Sequence, residues 1–93
     1  MEVTVQYTGQ LAGIAGVSEE RVAMGDNAVL SDLVEHLCER HGSAYSDLVV
    51  TGEGRLRPST LVILDGEQAV GDSSQLPLEN GQTVLLMTPI AGG

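Results

Sequence analysis

The sequence predicts an α+β roll, in which a mixed sheet of four to five strands wraps around one main helix. Three patterns predict it: an alternating segment at the start, one stretch with helical spacing, and two late strands that are apolar on both faces. One apolar stripe on a helix needs one sheet face to cover it, so the roll is an economical arrangement. Ninety-three residues suffice for a single domain.

Strict alternation in the first eight residues predicts the first strand. Val3, Val5 and Tyr7 are separated by polar residues, so the odd positions should face the core. Glycines in segment 9–16 indicate a loop. Segment 17–24 is then predicted to be a second strand.

Helical spacing begins at Leu30 and gives the clearest helix of the chain. Asp32 lies in the predicted first turn and Arg40 and His41 in the last, where the helix dipole favours these charges. Gly42 suits a residue that ends a helix. Apolar residues recur on one side at Leu30, Leu33, Val34, Leu37 and Cys38.

Segment 43–58 permits two interpretations, because Leu48-Val49-Val50 suits either a short strand or a buried turn. Segment 60–64 is predicted to be a central strand, since it is apolar at nearly every position. Asp65-Gly66 is a strong hairpin signal, and a weak strand is expected over 67–70. The last strand is predicted over 83–87.

Charge and composition exclude several classes of function. The chain has 13 acidic residues, four arginines and no lysine, which gives a formal net charge of −9. Nucleic-acid binding needs basic groups that displace counterions, or aromatic stacking platforms, and both are scarce here. Binding to an anionic membrane surface is disfavoured for the same reason. We therefore expect no nucleic-acid partner and no membrane partner.

The single cysteine, Cys38, cannot form an internal disulfide, which favours a reducing cytoplasm. No secretory leader pattern is visible at the start, and the longest aliphatic runs are too short to span a bilayer. Cys38 lies on the apolar side of the predicted helix, so we interpret it as a small buried hydrophobe. His36 and His41 lack partners for a metal shell, so we expect no metal and two solvated helix positions.

The element order and the end of the chain resemble the ubiquitin-like β-grasp sulfur carriers. The final residues read Thr88-Pro89-Ile90-Ala91-Gly92-Gly93, and segment 78–84 resembles the leucine, turn and last strand of that family. The proline-led tail is most similar to the small subunit of molybdopterin synthase. Arg57-Pro58 ahead of the apolar strand is similar to the tRNA-thiolation branch. Asn80 and Gln82 depart from the acidic residues more usual there.

The resemblance implies a β-grasp domain over 1–88 and a flexible diglycine tail over 89–93. It also implies a mechanism, in which an E1-like adenylating enzyme uses ATP to activate the Gly93 carboxylate. A sulfur donor protein then replaces AMP, and the thiocarboxylate passes sulfur to an acceptor such as a molybdopterin synthase large subunit. The carrier is then a co-substrate with no catalytic residue and no bound cofactor. No phosphate-binding glycine motif occurs in the sequence, consistent with nucleotide chemistry on the partner.

Terminal glycines suit a carbonyl that must reach narrow active sites on other proteins. Gly92 and Gly93 have no Cβ, so they permit close backbone approach and free choice of dihedral angles. Pro89 is expected to stiffen the exit from the sheet, with Ile90 and Ala91 completing the tail.

A partner must also hold the folded domain. Because one helix covers one sheet face, apolar side chains on the other face should form an exposed docking patch, and we expect its members among Val62, Leu64, Leu85 and Met87. Alternatively, segment 43–58 covers that face. Two other functions stay open. One is a ubiquitin-like modifier or a carrier for tRNA thiolation, thiamine or cysteine synthesis, and the other is a plain β-grasp interaction module.

Overall fold

The computed structural model describes residues 1–69 and 73–88, which form one five-stranded sheet with three helices. The strands are β1 (Glu2–Tyr7), β2 (Glu19–Ala23), β3 (Leu61–Leu64), β4 (Glu67–Gln68) and β5 (Thr83–Met87). The helices are α1 (Gly9–Ala15), α2 (Leu30–His41) and α3 (Ser43–Val49). The predicted α+β roll is confirmed.

The sheet has the order β2-β1-β5-β3-β4 and mixed strand directions. Strand β1 pairs with β5 in parallel, whereas the β1–β2, β3–β4 and β3–β5 pairs are antiparallel. The first and last strands are therefore neighbours at the centre of the sheet. Strand β5 therefore has a hydrogen-bonded neighbour on each side, and its buried residues Val84 and Leu86 alternate with partly exposed ones.

One core lies between the sheet and the helices. Odd positions of β1 face it as predicted, and Val3 and Val5 are fully buried. The helices contribute Leu11 from α1, four residues of α2, and Tyr45 and Val49 from α3. All of them belong to a single cluster of buried residues.

Helix α1 lies where the sequence predicted a loop, and that prediction was wrong. Glycines lie at both of its ends. Gly9 is its first residue, and Gly16 ends the helix in the left-handed conformation with φ +79°. The Gly16 amide donates to the Ala12 carbonyl at 2.9 Å, as is typical of a glycine-terminated helix. Burial of Leu11 then holds the short helix against the sheet.

Helix α2 begins and ends where the sequence predicted. Asp32 Oδ2 accepts a hydrogen bond from the Val29 amide at 2.9 Å and so satisfies an amide at the helix start. Gly42 ends α2 with φ +88° and leads directly into α3. The open segment 43–58 therefore begins as a helix, and Val50 forms only an isolated bridge with Leu56. None of the described helices has the length and apolar character that a membrane crossing requires.

Candidate functional site: the end of strand β5 and the outer face of the sheet

The chain leaves the sheet from its central strand. Leu86 lies opposite Tyr7 of β1, and Met87 lies opposite Leu61 of β3. The predicted tail residues, Pro89, Ile90, Ala91, Gly92 and Gly93, lie outside the described residues. Their roles stay predictions, and the structure places the end of β5, from which they follow in sequence, between two paired strands.

Thr88 is the last described residue and carries a buried hydroxyl. Its Oγ1 atom is shielded from solvent and has no hydrogen-bond partner among the described residues. By contrast, the buried hydroxyl of Thr60, the residue before β3, donates to the Val49 carbonyl at 3.0 Å. A buried hydroxyl without a partner costs free energy, so a hydrogen bond to Thr88 Oγ1 from outside the described residues would be stabilising.

An apolar area lies on the face of the sheet that points away from the helices. Its members are cross-strand pairs, Leu61 with Met87 and Ile63 with Leu85. Leu61 is 39% exposed and the other three are partly exposed. We call Leu61, Ile63, Leu85 and Met87 the outer patch. It adjoins the point where the tail begins, because Met87 is the last residue of β5.

The expected docking residues divide between the two faces. Leu85 and Met87 belong to the outer patch, as anticipated. Val62 and Leu64 were assigned to the wrong face, because they lie opposite Leu86 and Val84 on the core side. Val62 is only 2% exposed, and Leu64 packs against the core. A strand that is apolar at every position gives no alternation, so its sequence could not identify the outward residues.

The alternative was that segment 43–58 covers the outer face of the sheet. Helix α3, which forms the first part of this segment, does not do so. Tyr45 and Val49 lie in the core, and α3 contacts α1 and α2. This segment therefore begins on the helical side of the sheet. The outer patch is not covered by α3.

A buried polar cluster connects α2 and α3 to strands β1 and β2. Glu20 Oε2 accepts hydrogen bonds from the Tyr7 hydroxyl and from His41 Nε2, each at 2.6 Å. Arg40 Nη1 lies 3.4 Å from Glu20 Oε1, and the Tyr45 hydroxyl donates to the Tyr7 hydroxyl at 3.1 Å. The Glu20 side chain is only 9% exposed. We call these five residues the Glu20 cluster.

The Glu20 cluster changes the acidity of its members. Burial alone would raise the pKa of Glu20, but hydrogen bonds from Tyr7 and His41, with the nearby charges of His41 and Arg40, outweigh it and lower the pKa. Burial, followed by the bond to Glu20, raises the pKa of Tyr7. Burial likewise raises the pKa of Tyr45. Both phenols therefore act as neutral donors, and Glu20 as a charged acceptor.

His41 was predicted to be solvated, and that prediction was wrong. Its side chain is 12% exposed, stacks on Tyr45 with ring centroids 4.9 Å apart, and bonds to Glu20. One signal was present in the sequence: Glu20 precedes the apolar Val22 by two residues in a predicted strand. Residues two apart share a face, so Glu20 had to face inward and needed partners.

The remaining candidates behave as small structural groups. Cys38 packs beside the core, and burial raises its thiol pKa, which fits the expected small hydrophobe better than a nucleophile. His36 is exposed, as predicted. Within ranges 1–69 and 73–88, no group of three or more His, Cys, Asp or Glu side chains could hold a metal ion.

Comparison with known proteins agrees with this fold. The ThiS family model matches residues 5–93. SAMP1 from Haloferax volcanii is 25% identical, with full coverage of both chains and a TM-score of 0.87. Urm1 from Trypanosoma brucei is 28% identical, with coverage of 99% and 95% and a TM-score of 0.78. No curated protein sequence matches the chain.

A third structure, a putative molybdopterin converting factor subunit 1 from Pyrococcus furiosus, shares the fold. It is 24% identical, with coverage of 97% of this chain and 99% of that one, and a TM-score of 0.75. The fold and the family match together define the class as ubiquitin-like sulfur carriers and modifiers. The chain belongs to the ThiS family.

Proposed function

We propose that this protein carries sulfur as a thiocarboxylate on Gly93. The observation that carries the proposal is the family match, which extends through residue 93 and so includes the terminal glycines. The position of β5 supports it, because the tail begins at a central strand held on both sides. The folded domain would then be the rigid part that partner proteins bind, and the C-terminus would be the reactive part.

Two bond exchanges would load the carrier. A Gly93 carboxylate oxygen attacks the α-phosphorus of ATP, and pyrophosphate leaves, which gives an acyl adenylate. A hydrosulfide equivalent from the sulfur donor then forms a carbon–sulfur bond as AMP leaves. Activation is required because a carboxylate is a poor electrophile, and dividing the reaction lowers each barrier. The activating enzyme would bind the ATP and supply the catalytic groups.

The activation step can be measured by exchange of labelled pyrophosphate into ATP. With a cognate activating enzyme, the full chain should support exchange, and a chain ending at Ala91 should not. Equal exchange with the two chains would contradict activation at Gly93. The absence of exchange with the full chain would also contradict it, provided that the same enzyme preparation is shown to activate a known carrier under the same conditions.

We propose molybdopterin synthesis as the pathway, because the proline-led tail resembles that subfamily and a molybdopterin converting factor is among the similar structures. The test supplies thiocarboxylated carrier to a molybdopterin synthase large subunit with its precursor. Formation of the sulfurated product supports this pathway. If no product forms but sulfur is transferred in tRNA thiolation, thiamine or cysteine synthesis, the carrier function stands and the molybdopterin pathway is wrong.

A second candidate function is protein modification, favoured by the similarity to SAMP1, since a related Haloferax volcanii structure is described as a small archaeal modifier protein. The chain has no lysine, so it offers no side-chain amine for a second copy. Chains of this protein linked through its own side chains are therefore not expected on a target lysine. Mass spectrometry of conjugates would contradict this role if none depended on Gly93. A third candidate, a plain interaction module, requires activity without Gly92 and Gly93.

A further inference from the structure

A groove on the helical side of the molecule has a character unlike the rest of this acidic chain. It has a volume of about 650 Å³ and lies between α2, loop 54–58 and the segment that begins at Ser73. Val34, Leu56 and Pro58 supply apolar surface, and Ser31 and Ser73 supply hydroxyl-bearing walls. Its size falls in the range of sites that hold a ligand.

Among the described residues that line the groove, the one charged side chain is positive, whereas the protein as a whole is acidic. None of the described residues that line it is acidic, although the chain has 13 acidic residues. Arg55 lines it and is one of only four arginines. Its guanidinium forms no ion pair with any described residue, unlike that of Arg40. A cation that has no ion-pair partner among the described residues and lies next to apolar surface suits a ligand that is itself both apolar and anionic.

The loop that carries Arg55 is held by hydrogen bonds. The Arg55 carbonyl accepts from the Thr51 amide at 2.7 Å, and the Gly54 amide donates to the Thr51 carbonyl at 2.9 Å. An isolated bridge joins Val50 to Leu56. The Arg55 backbone is thus fixed relative to the buried end of α3, which reduces the ordering cost of binding.

We propose that this groove binds a peptide segment of a partner protein that presents an acidic side chain next to aliphatic ones. The apolar surface takes the aliphatic side chains, and Arg55 takes a carboxylate. Helix α2 packs on the core face of the sheet, and its residues Ser31 and Val34 line the groove. The groove therefore lies on the opposite side from the outer patch, so two proteins could hold the domain at once. The inference goes beyond sulfur transfer and needs neither Gly93 nor an activating enzyme.

The test is a titration of the isotope-labelled full chain, followed by backbone amide NMR signals. The probe is a terminally blocked peptide of alternating leucine and glutamate, at about 0.15 M salt to limit long-range repulsion. Its control replaces every glutamate by glutamine. Signals of Ser31, Arg55 and Leu56 should move, and those of Leu85 and Met87 should not. The glutamate peptide should bind more tightly than the glutamine peptide.

Two variants make the test specific for the guanidinium. Arg55→Gln should weaken binding of the glutamate peptide about fivefold, the effect of losing one partly screened ion pair. Arg21→Gln removes the same charge from an exposed residue of β2 on the outer face and should leave binding unchanged. The inference is overturned if the two variants behave alike or if both peptides bind equally. It is also overturned if the outer patch responds instead, or if inorganic phosphate alone produces the same shifts.

Discussion

Glu20 is the residue whose environment differs most from that of an ordinary surface carboxylate. Donors from β1 and α2 meet on it: the Tyr7 hydroxyl and the ring of His41. These elements are distant in sequence, so Glu20 joins the edge strand to the end of α2. Its loss should therefore weaken the whole fold and not only its own strand.

The charge of Glu20 should contribute to stability at neutral pH. Glu20→Gln keeps the shape but loses the charge-assisted bonds, and we expect a cost of about 2 kcal/mol in the free energy of unfolding. Urea unfolding at pH 7 measures it. Glu19→Gln is the matched control, because Glu19 is exposed and bonds only to Gln6 at 3.0 Å. Equal losses for the two variants would contradict a special role for Glu20.

The sign of the pH dependence follows from the lowered pKa of Glu20. Its folded pKa lies below its ordinary value of 4.5. The stabilisation should be fully present above pH 4.5 and disappear as the pH falls through the folded pKa. The difference between wild type and Glu20→Gln should therefore shrink in acid. A difference that grew below pH 4.5 would contradict this account.

At the scale of elements, the hairpin between β3 and β4 depends on one glycine. Asp65 and Gly66 have φ values of +49° and +89°, which is the left-handed pair that a two-residue hairpin requires. Asp65 Oδ1 also accepts from the Thr83 amide at 2.9 Å, which attaches the turn to β5.

Gly66→Ala should cost about 1–2 kcal/mol, because an L-residue is disfavoured at positive φ. A Cβ at Gly66 would meet no atom within 4 Å, so the cost is conformational rather than steric contact. Gly52→Ala is the control, since Gly52 is equally open and has no positive φ. Thermal unfolding of the two variants compares them. An equal effect at both positions would contradict the turn assignment.

The outer patch makes a prediction about partner binding. Leu85→Asp should raise the KM for the carrier in the activation reaction about tenfold, the loss expected for one central apolar contact. The value of kcat should change little, since the tail is intact. Thr4→Asp is the control: Thr4 lies on the same face but in β1, opposite Thr83. The docking role of the outer patch fails if both variants raise KM equally or neither does.

Which elements could be predicted depended on how local their signals were. Helix α2 has a continuous apolar stripe, and β1 alternates strictly, so both were correctly predicted. Helices α1 and α3 have seven residues each, and only Leu11, Tyr45 and Val49 are buried in them. Such short helices depend on tertiary packing, so local periodicity is too weak to reveal them.

At the scale of the whole molecule, a net charge of −9 on 93 residues opposes compaction. Two ion pairs between permanently charged groups occur among the described residues, Arg40 with Glu20 and the N-terminal amine with Asp26. Most of the acidic groups are therefore not neutralised by a partner within the described chain. Mobile ions should screen this repulsion.

Stability should therefore rise with ionic strength. We expect a gain of about 1 kcal/mol in the free energy of unfolding between low salt and 0.5 M NaCl, as the Debye length falls to about 4 Å. Urea titrations across this range measure it. A variant with Glu53→Gln and Glu67→Gln, both exposed, should show a shallower dependence. Stability that is insensitive to salt, or that falls, would contradict the repulsion account.

The order of the strands needed global information. The parallel pairing of β1 with β5 joins the two ends of the chain, and no local pattern encodes a contact between such distant segments. The same pairing places β5, the last described strand, at the centre of the sheet. The chemistry of Gly93, in turn, came from the family resemblance, because a terminal diglycine has no physical signature of sulfur transfer.

The central claim is that sulfur is carried on the Gly93 carboxylate. Intact mass spectrometry after incubation with a cognate activating enzyme, ATP and a sulfur donor tests it most directly. We predict a mass gain equal to the replacement of one oxygen by one sulfur, located at Gly93 by fragmentation and absent from a chain ending at Ala91. The claim would be contradicted by an unchanged mass when the same enzyme preparation loads a known carrier. It would also be contradicted by sulfur located on Cys38.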